Sequence, residues 1–460
     1  MAKEETFEDL RQLTLDHTWV PARPWNVLNG PDGFNIFTEG KGCRITDIHG
    51  KTYLDIFSAL GNVCSLGYGR KEIADAAYEQ MMKLHFMPTH ELNIPQIKLS
   101  KKLADLTPGS LSMVFYASSG TEAIESAIKI ARKYQVLSGK PKKYKMIVGG
   151  HRYHGSTYGA MSVGSRKPHF SWEDYEPLLP GVISVPSPYC HRCDLGLKYP
   201  DCNIQCAREI ERVIEQEGPD TVASFLDVTI ATGYSTLPPP EYWPMVRAIC
   251  DKYNVLLILD EIMMSLGRTG KWFGFEHWDG FVPDIIVLAK SLANGAVPLG
   301  ATIVTREVAQ KFEGGLREML NHSYTFLGHP VACAAALVTL EIMEKEKVIE
   351  NSRAMGTYLF ESLSTLRKHR TVGEIRGGLG LDCTVEFVKN QETGEKFSPE
   401  ENKKFMALLK KKIRQAGFWG AAGNPLKLLP PLVINKDEID ELVEGLDKVT
   451  GEIARELAIT

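Results

Sequence analysis

The feature that most constrains this chain is an alternation of short, almost wholly apolar runs with stretches of helical periodicity. The runs Met113–Tyr116, Met146–Val148, Val222–Leu226, Val255–Leu259 and Ile285–Leu288 are too short for helices and rich in branched or aromatic side chains. Continuous apolarity of this kind marks strands covered on both faces. Between the runs lie amphipathic stretches such as Glu122–Tyr134, where Ile124, Ala127, Ile128 and Ala131 share one face. The alternation predicts an α/β fold with a mostly parallel sheet flanked by helices. Such sheets bind ligands beyond the carboxyl ends of their strands, so the residues just after each run are the first candidates for function.

The flanks differ. Residues 35–56 predict strands joined by a hairpin with His49-Gly50 at its turn. From about residue 331 a long helix, a Gly-rich strand region near Arg376–Gly380 and a further helix predict a smaller α+β domain. With 460 residues the chain exceeds a single core. The expected division is an N-terminal segment (1–70) contributing to the small domain, a large ligand-binding domain (71–330) and a C-terminal small domain (331–460).

Composition narrows the partners. Hydrophobic residues make up 43% and charged residues 24%, and the net charge is −4. That balance is ordinary for a globular protein and gives no general attraction to nucleic acid or anionic membrane. The densest basic cluster, Lys410-Lys411-Lys412, falls in a helical pattern and reads as a solvated face. The opening segment is acidic without the apolar core of a signal peptide, and no run approaches the ~20 apolar residues that span a bilayer. Nine cysteines are too few for a disulfide scaffold. The expectation is a cytoplasmic protein.

Three strand ends carry chemistry. Ser119-Gly120-Thr121-Glu122 follows the first run and opens a helix; Ser119 and Glu122 have capping-box spacing, and the free N–H groups there suit a phosphate. Asp260-Glu261 ends Val255–Leu259, where a carboxylate is costly unless it faces a cation or ligand. Lys290 follows Ile285–Leu288, and a lysine in a poorly solvated cleft becomes a nucleophilic amine able to form a Schiff base. Each has an ordinary reading by itself: a capped helix, a satisfied N-cap, a lysine reaching solvent. Together a phosphate cradle, a carboxylate and an amine are the parts that pyridoxal 5'-phosphate (PLP) requires.

A second constellation is Cys190-x2-Cys193-x8-Cys202-x3-Cys206. Four thiols so spaced could hold tetrahedral zinc, or be free and partly buried; the second reading is preferred, with no metal expected.

Ser119–Ala123, Tyr153-His154-Gly155, Asp260-Glu261 with Gly267–Gly270, Ala289-Lys290 and Thr325–Pro330 stand in the order found in class-III aminotransferases, which the chain resembles from about residue 35 to Leu446. These are fold-type-I PLP enzymes. The resemblance implies that Lys290 carries PLP as a Schiff base and shuttles the proton, and that Asp260 pairs with the ring nitrogen. It implies that Tyr153 stacks on the ring and that Ser119, Gly120 and Thr121 hold the phosphate. His154 and Asp227 would also contact the cofactor, and Thr325 would reach the phosphate of a neighbouring subunit in a homodimer, or a tetramer built from it.

The implied activity is amino transfer from an ω-amino acid, a taurine-like donor or an amine to pyruvate, glyoxylate or 2-oxoglutarate. A PLP-dependent lyase, decarboxylase or aminomutase of the same fold is the alternative. A non-catalytic scaffold with a metal site made by the four clustered cysteines is an alternative of another class. Asp227 stands where relatives often have glutamate. Lys427 stands before Pro430-Pro431 where ornithine and 4-aminobutyrate aminotransferases have a carboxylate-binding arginine; lysine offers a point charge in place of a fork. Lys427 is thus a candidate substrate residue, with Trp19, Trp25 and Asn62 as candidates at the substrate mouth.

Overall fold

The structure, a computed structural model, describes residues 5–30, 33–164, 172–231, 235–420 and 423–457. Near the N-terminus lie β1 (Phe37–Lys41), β2 (Arg44–Asp47) and β3 (Thr52–Asp55). The middle of the chain contributes β4 (Leu111–Ala117), β5 (Lys145–Gly149), β6 (Val182–Val185), β7 (Val222–Val228), β8 (Leu256–Asp260), β9 (Ile285–Leu288) and β10 (Gly300–Thr305). The C-terminal part adds β11 (Val372–Gly377), β12 (Cys383–Phe387), β13 (Phe418–Trp419) and β14 (Leu426–Leu428).

Strands β4 to β10 form a seven-stranded sheet in the order β4-β10-β9-β8-β7-β5-β6. The pairs β9-β8, β8-β7, β7-β5 and β5-β6 are parallel, whereas β10 runs antiparallel to both β9 and β4. Both faces are covered, which explains the unbroken apolar runs. Ile258, Ile285 and Val287 point to a core shared with Ile124, Ala127 and Ile128 of the helix Gly120–Leu137. Leu257, Leu259, Ile286 and Leu288 point the other way, to a core that includes Trp243 and Leu340. Period-two alternation therefore feeds two cores from each strand.

Two smaller sheets flank the large one. In one, β1, β2 and β3 form an antiparallel meander, and β13 joins β3 in parallel, so the N-terminal strands pair with a C-terminal one. The expected turn at His49-Gly50 is present; Gly50 has φ +78°, a conformation glycine adopts without penalty. The other is the antiparallel sheet β11-β12-β14. Helices Pro330–Lys345 and Val348–Leu363 follow the large sheet, and Pro399–Gln415 and Lys436–Glu456 pack beside each other, with Lys412 joined to Glu452 and Glu456. Among the described residues no helix is long and apolar enough to cross a membrane.

Candidate functional site

Strand ends that are far apart in sequence meet at the carboxyl edge of the large sheet. The register of β8 and β9 puts Asp260 beside Val287, three residues before Lys290. A Cβ on Gly120 would lie 2.7 Å from Ile262 Cδ1 and 3.3 Å from Ala289 Cβ, so the start of the Gly120–Leu137 helix abuts both turns. A Cβ on Gly155 would lie 2.5 Å from Thr121 Oγ1. His154 Nδ1 stands 2.8 Å from Asp260 Oδ2. Segments 119–121, 153–155, 260–262 and 289–290 therefore form one locus.

Lys290 leaves β9 with φ +51°, an uncommon conformation for a residue with a side chain. Its Nζ lies 3.2 Å from Gly61 O and 3.4 Å from Leu60 O, and it touches Met263 Sδ. Burial pushes its pKa down to about 8; the Asp260 charge opposes that shift, and the Arg268 and Lys427 charges add to it. The loop that supplies Leu60 and Gly61 is held by buried Asp55, whose carboxylate accepts from Phe57 N, Ala59 N and the Tyr68 hydroxyl.

Asp260 accepts from Ile262 N on Oδ1 and from His154 on Oδ2. A carboxylate is acceptor-only, so the bridging proton sits on His154 Nδ1. Two accepted bonds leave Asp260 room for a further donor. Its neighbour Glu261 faces away, bound by the Thr229 hydroxyl and, at 2.7 Å, by Gly274 N; burial raises its pKa to about 7. At the helix start, Ser119 Oγ accepts from Glu122 N as the capping-box spacing predicts. The Glu122 carboxylate reaches Ser118 N, one residue earlier than the expected Ser119 N.

The remaining candidate residues have varied surroundings. Asp227, expected at the cofactor, is fully buried and its Oδ1 accepts from Arg152 Nε at 2.7 Å. It anchors the loop that carries Tyr153 and His154, and Gly149 is required beside it because a Cβ there would fall 2.3 Å from the carboxylate. His154 is turned to Asp260 and buried, a support for the carboxylate. Asn62, expected at the substrate mouth, is also fully buried; its amide engages Ser265 O, the Ser65 and Ser291 hydroxyls and Arg268 Nε. It is an internal hub. Trp19 is 92% exposed and Trp25 51%, so neither walls a closed pocket within one chain. Tyr153 and Thr325 are exposed as well.

Sequence reasoning missed Arg268, read only as part of a turn. It is fully buried, donating from Nη1 to Leu381 O and Pro430 O, and so ties the turn after β8 to the segments before β12 and after β14. Nothing in the local pattern foretold these distant partners.

Lys427 lies on β14, half-buried, and its charge is felt at Lys290. The four clustered cysteines are free and line one small cavity of about 20 Å³. Among the described residues no group of three or more His, Cys, Asp or Glu side chains is set to hold a metal ion. An open groove of about 760 Å³ lined by Trp272, Trp278 and Arg353 includes none of the motif residues above.

An amine, a supported carboxylate and a helix N-terminus around one point are what the strand ends foretold, and residues 29–450 match the family model described as aminotransferase class-III. The chain belongs to the class-III aminotransferases. This aminotransferase is 35% identical to the taurine–pyruvate aminotransferase of Bilophila wadsworthia, the match covering 99% of this chain and 100% of that one. It is 34% identical to the putrescine–pyruvate aminotransferase of Pseudomonas aeruginosa, covering 96% of each. An (S)-enantioselective omega-transaminase from Thermomicrobium roseum shares the fold at a TM-score of 0.92 and 36% identity, covering 98% of this chain and 100% of that one. The omega-transaminase of Pseudomonas jessenii in complex with PMP superposes at 0.91 and 30% identity, covering 98% and 99%. The family sets aside the reading of the chain as a non-catalytic metal-binding scaffold.

Proposed function

We propose that this aminotransferase moves an amino group from an ω-amino acid, a taurine-like donor or an amine to a 2-oxo acid, with PLP held at Lys290. The observation that carries the reading is the convergence of Lys290, its amine pressed toward neutrality by burial, with Asp260 and the 119–121 helix start. PLP fits this locus. Lys290 would hold its aldehyde carbon, Asp260 its ring nitrogen, and Ser119, Gly120 and Thr121 its phosphate, with Tyr153 against the ring. When bound, PLP supplies an electron sink for negative charge on the donor carbon.

The chain's own groups do the rest. Lys290 Nζ, poorly solvated, would accept a proton from the amine-bearing carbon and deliver it to the carbon that was the aldehyde. Asp260, fixed by His154 and Ile262 N, holds a proton at the ring nitrogen without having to reorganise. Gly120 keeps the backbone low enough for a phosphate to approach the helix N–H groups.

Lys427 is the proposed recognition group for a carboxylate or sulfonate. Among the described residues its ammonium donates to no protein acceptor, and a half-buried ammonium left in that state is available to an anion. We place Thr325 at the phosphate of a second subunit. Leu60 (70% exposed), Tyr153 and Phe326 give this part of the single chain an exposed apolar character that a second chain would cover.

The test is a half-reaction screen: the PLP form is mixed with amines and ω-amino acids, and loss of the bound-cofactor absorbance is followed. Donors that bleach the band, with colour restored by an oxo acid, support transamination. Release of product with no oxo acid required would favour the lyase reading.

A further inference from the structure

Lys427 does not stand alone on its sheet. Strands β12 and β14 pair antiparallel, with Thr384 directly opposite Lys427 and Cys383 opposite Leu428. Residues directly opposite share a face; Asp382 lies just before β12, and its carboxylate is joined to Thr384 through the Ser235 hydroxyl. Both Asp382 and Thr384 are buried, and one hydroxyl, Ser235 Oγ, bonds to the Asp382 carboxylate and to Thr384 Oγ1 at 2.7 Å. The Ser235 bond holds the carboxylate in place.

Among the described residues Asp382 and Lys427 make no ion pair within 4 Å. They are close enough to feel each other's charge and far enough apart to leave the ammonium's donors unspent. The charged groups in the neighbourhood are Asp382, Lys427, Arg268 and Lys290, with Asp55 acting on Arg268 and Asp260 on Lys290. Burial lowers the pKa of Lys427 and Asp382 opposes that shift. Lys427 in turn adds to the lowering of the Lys290 pKa.

We propose that Asp382 is a positioning residue that keeps the Lys427 ammonium charged in the pocket, so that the site prefers amino donors bearing a second, anionic group over plain amines. The inference rests on the reading of Lys427 as the anion-recognising group. Without Asp382, Lys427 would be a desolvated cation with no opposing charge to offset its burial. It would shed its proton as pH rises, and its attraction for an anionic donor would go with it.

The experiment uses the PLP-loaded enzyme with pyruvate as acceptor and taurine, β-alanine or n-butylamine as donor, from pH 6 to 9. In the unaltered enzyme KM is lower for taurine or β-alanine than for n-butylamine. Asp382→Asn raises the KM ratio of the anionic donor to n-butylamine by about tenfold at pH 8, and the increase shrinks toward pH 6. Lys427→Ala raises the same ratio at every pH. Ser235→Ala, which frees the carboxylate, gives a smaller rise with the same pH trend and serves if Asp382→Asn does not fold.

Four results would overturn the proposal. One is a ratio unchanged in Asp382→Asn, or in Ser235→Ala where that variant stands in, while Lys427→Ala raises it; the reading of Lys427 would then survive. Another is a rise independent of pH, which would mark a merely structural role. An unaltered enzyme that favours n-butylamine would contradict the substrate class. If Lys427→Ala leaves the ratio unchanged, the underlying reading falls too.

Discussion

An ordinary lysine is almost wholly protonated at neutral pH and cannot attack an aldehyde, so the environment of one amine decides whether this site works. Burial lowers the Lys290 pKa to about 8. Between pH 8 and the ordinary 10.5 the folded chain holds the neutral amine while the unfolded chain keeps its proton. Stability of the cofactor-free protein therefore rises with pH across that window. The rate at which cofactor-free enzyme captures PLP should climb with pH and level off near 8. A plateau reached only near 10.5 would show a solvated amine. Lys290 and Asp260 were legible because each is a charged residue ending an apolar run. Asn62 was not: it was placed by likeness to relatives, and its burial depends on Arg268 and Ser265, some two hundred positions away. The bond between Asp227 and Arg152 was not legible either, since only the fold brings the two together.

Elements were clearer than contacts. The run Ile285–Leu288 coincides with β9, three other runs lie within longer strands, and Val255–Leu259 is displaced by one residue from β8. Strands β6 and β10 were not singled out. Gly300–Thr305 mixes Gly, Ala and Thr with two apolar residues and carries no sign of its antiparallel direction, which is set by its neighbours. The loop that follows β5 joins the site through Gly155, which has φ +143° and leaves no room for a side chain beside Thr121. Gly155→Ala should push Thr121 aside and weaken PLP binding by about tenfold or more, equivalent to about 1.4 kcal/mol. Lys290 should still react with a simple aldehyde lacking a phosphate. Titration with PLP and with that aldehyde checks the pair; equal losses for both would place the damage elsewhere.

For the whole molecule, the locus is buried at Asp260 and His154 but exposed at Tyr153 and Leu60. An active site that must exclude water is incomplete in that form. Sedimentation of the PLP-loaded enzyme should give twice the chain's mass or a multiple of it. Thr325→Ala should lower PLP affinity while that mass stays the same. A fully active species of single-chain mass would contradict the shared site. Pairing of β13 with β3 was not foreseen either; a two-residue strand has no pattern of its own, and only the packed molecule brings Phe418 and Trp419 to Leu54 and Asp55.

The claim on which all of this rests is that Lys290 is the residue that takes PLP. The direct measurement is borohydride reduction of the PLP-loaded enzyme, followed by peptide mass analysis. The expected result is one pyridoxyl-phosphate group per chain, on the peptide containing Lys290, and none in Lys290→Ala. A group found on another lysine, or undiminished labelling of the variant, would contradict it.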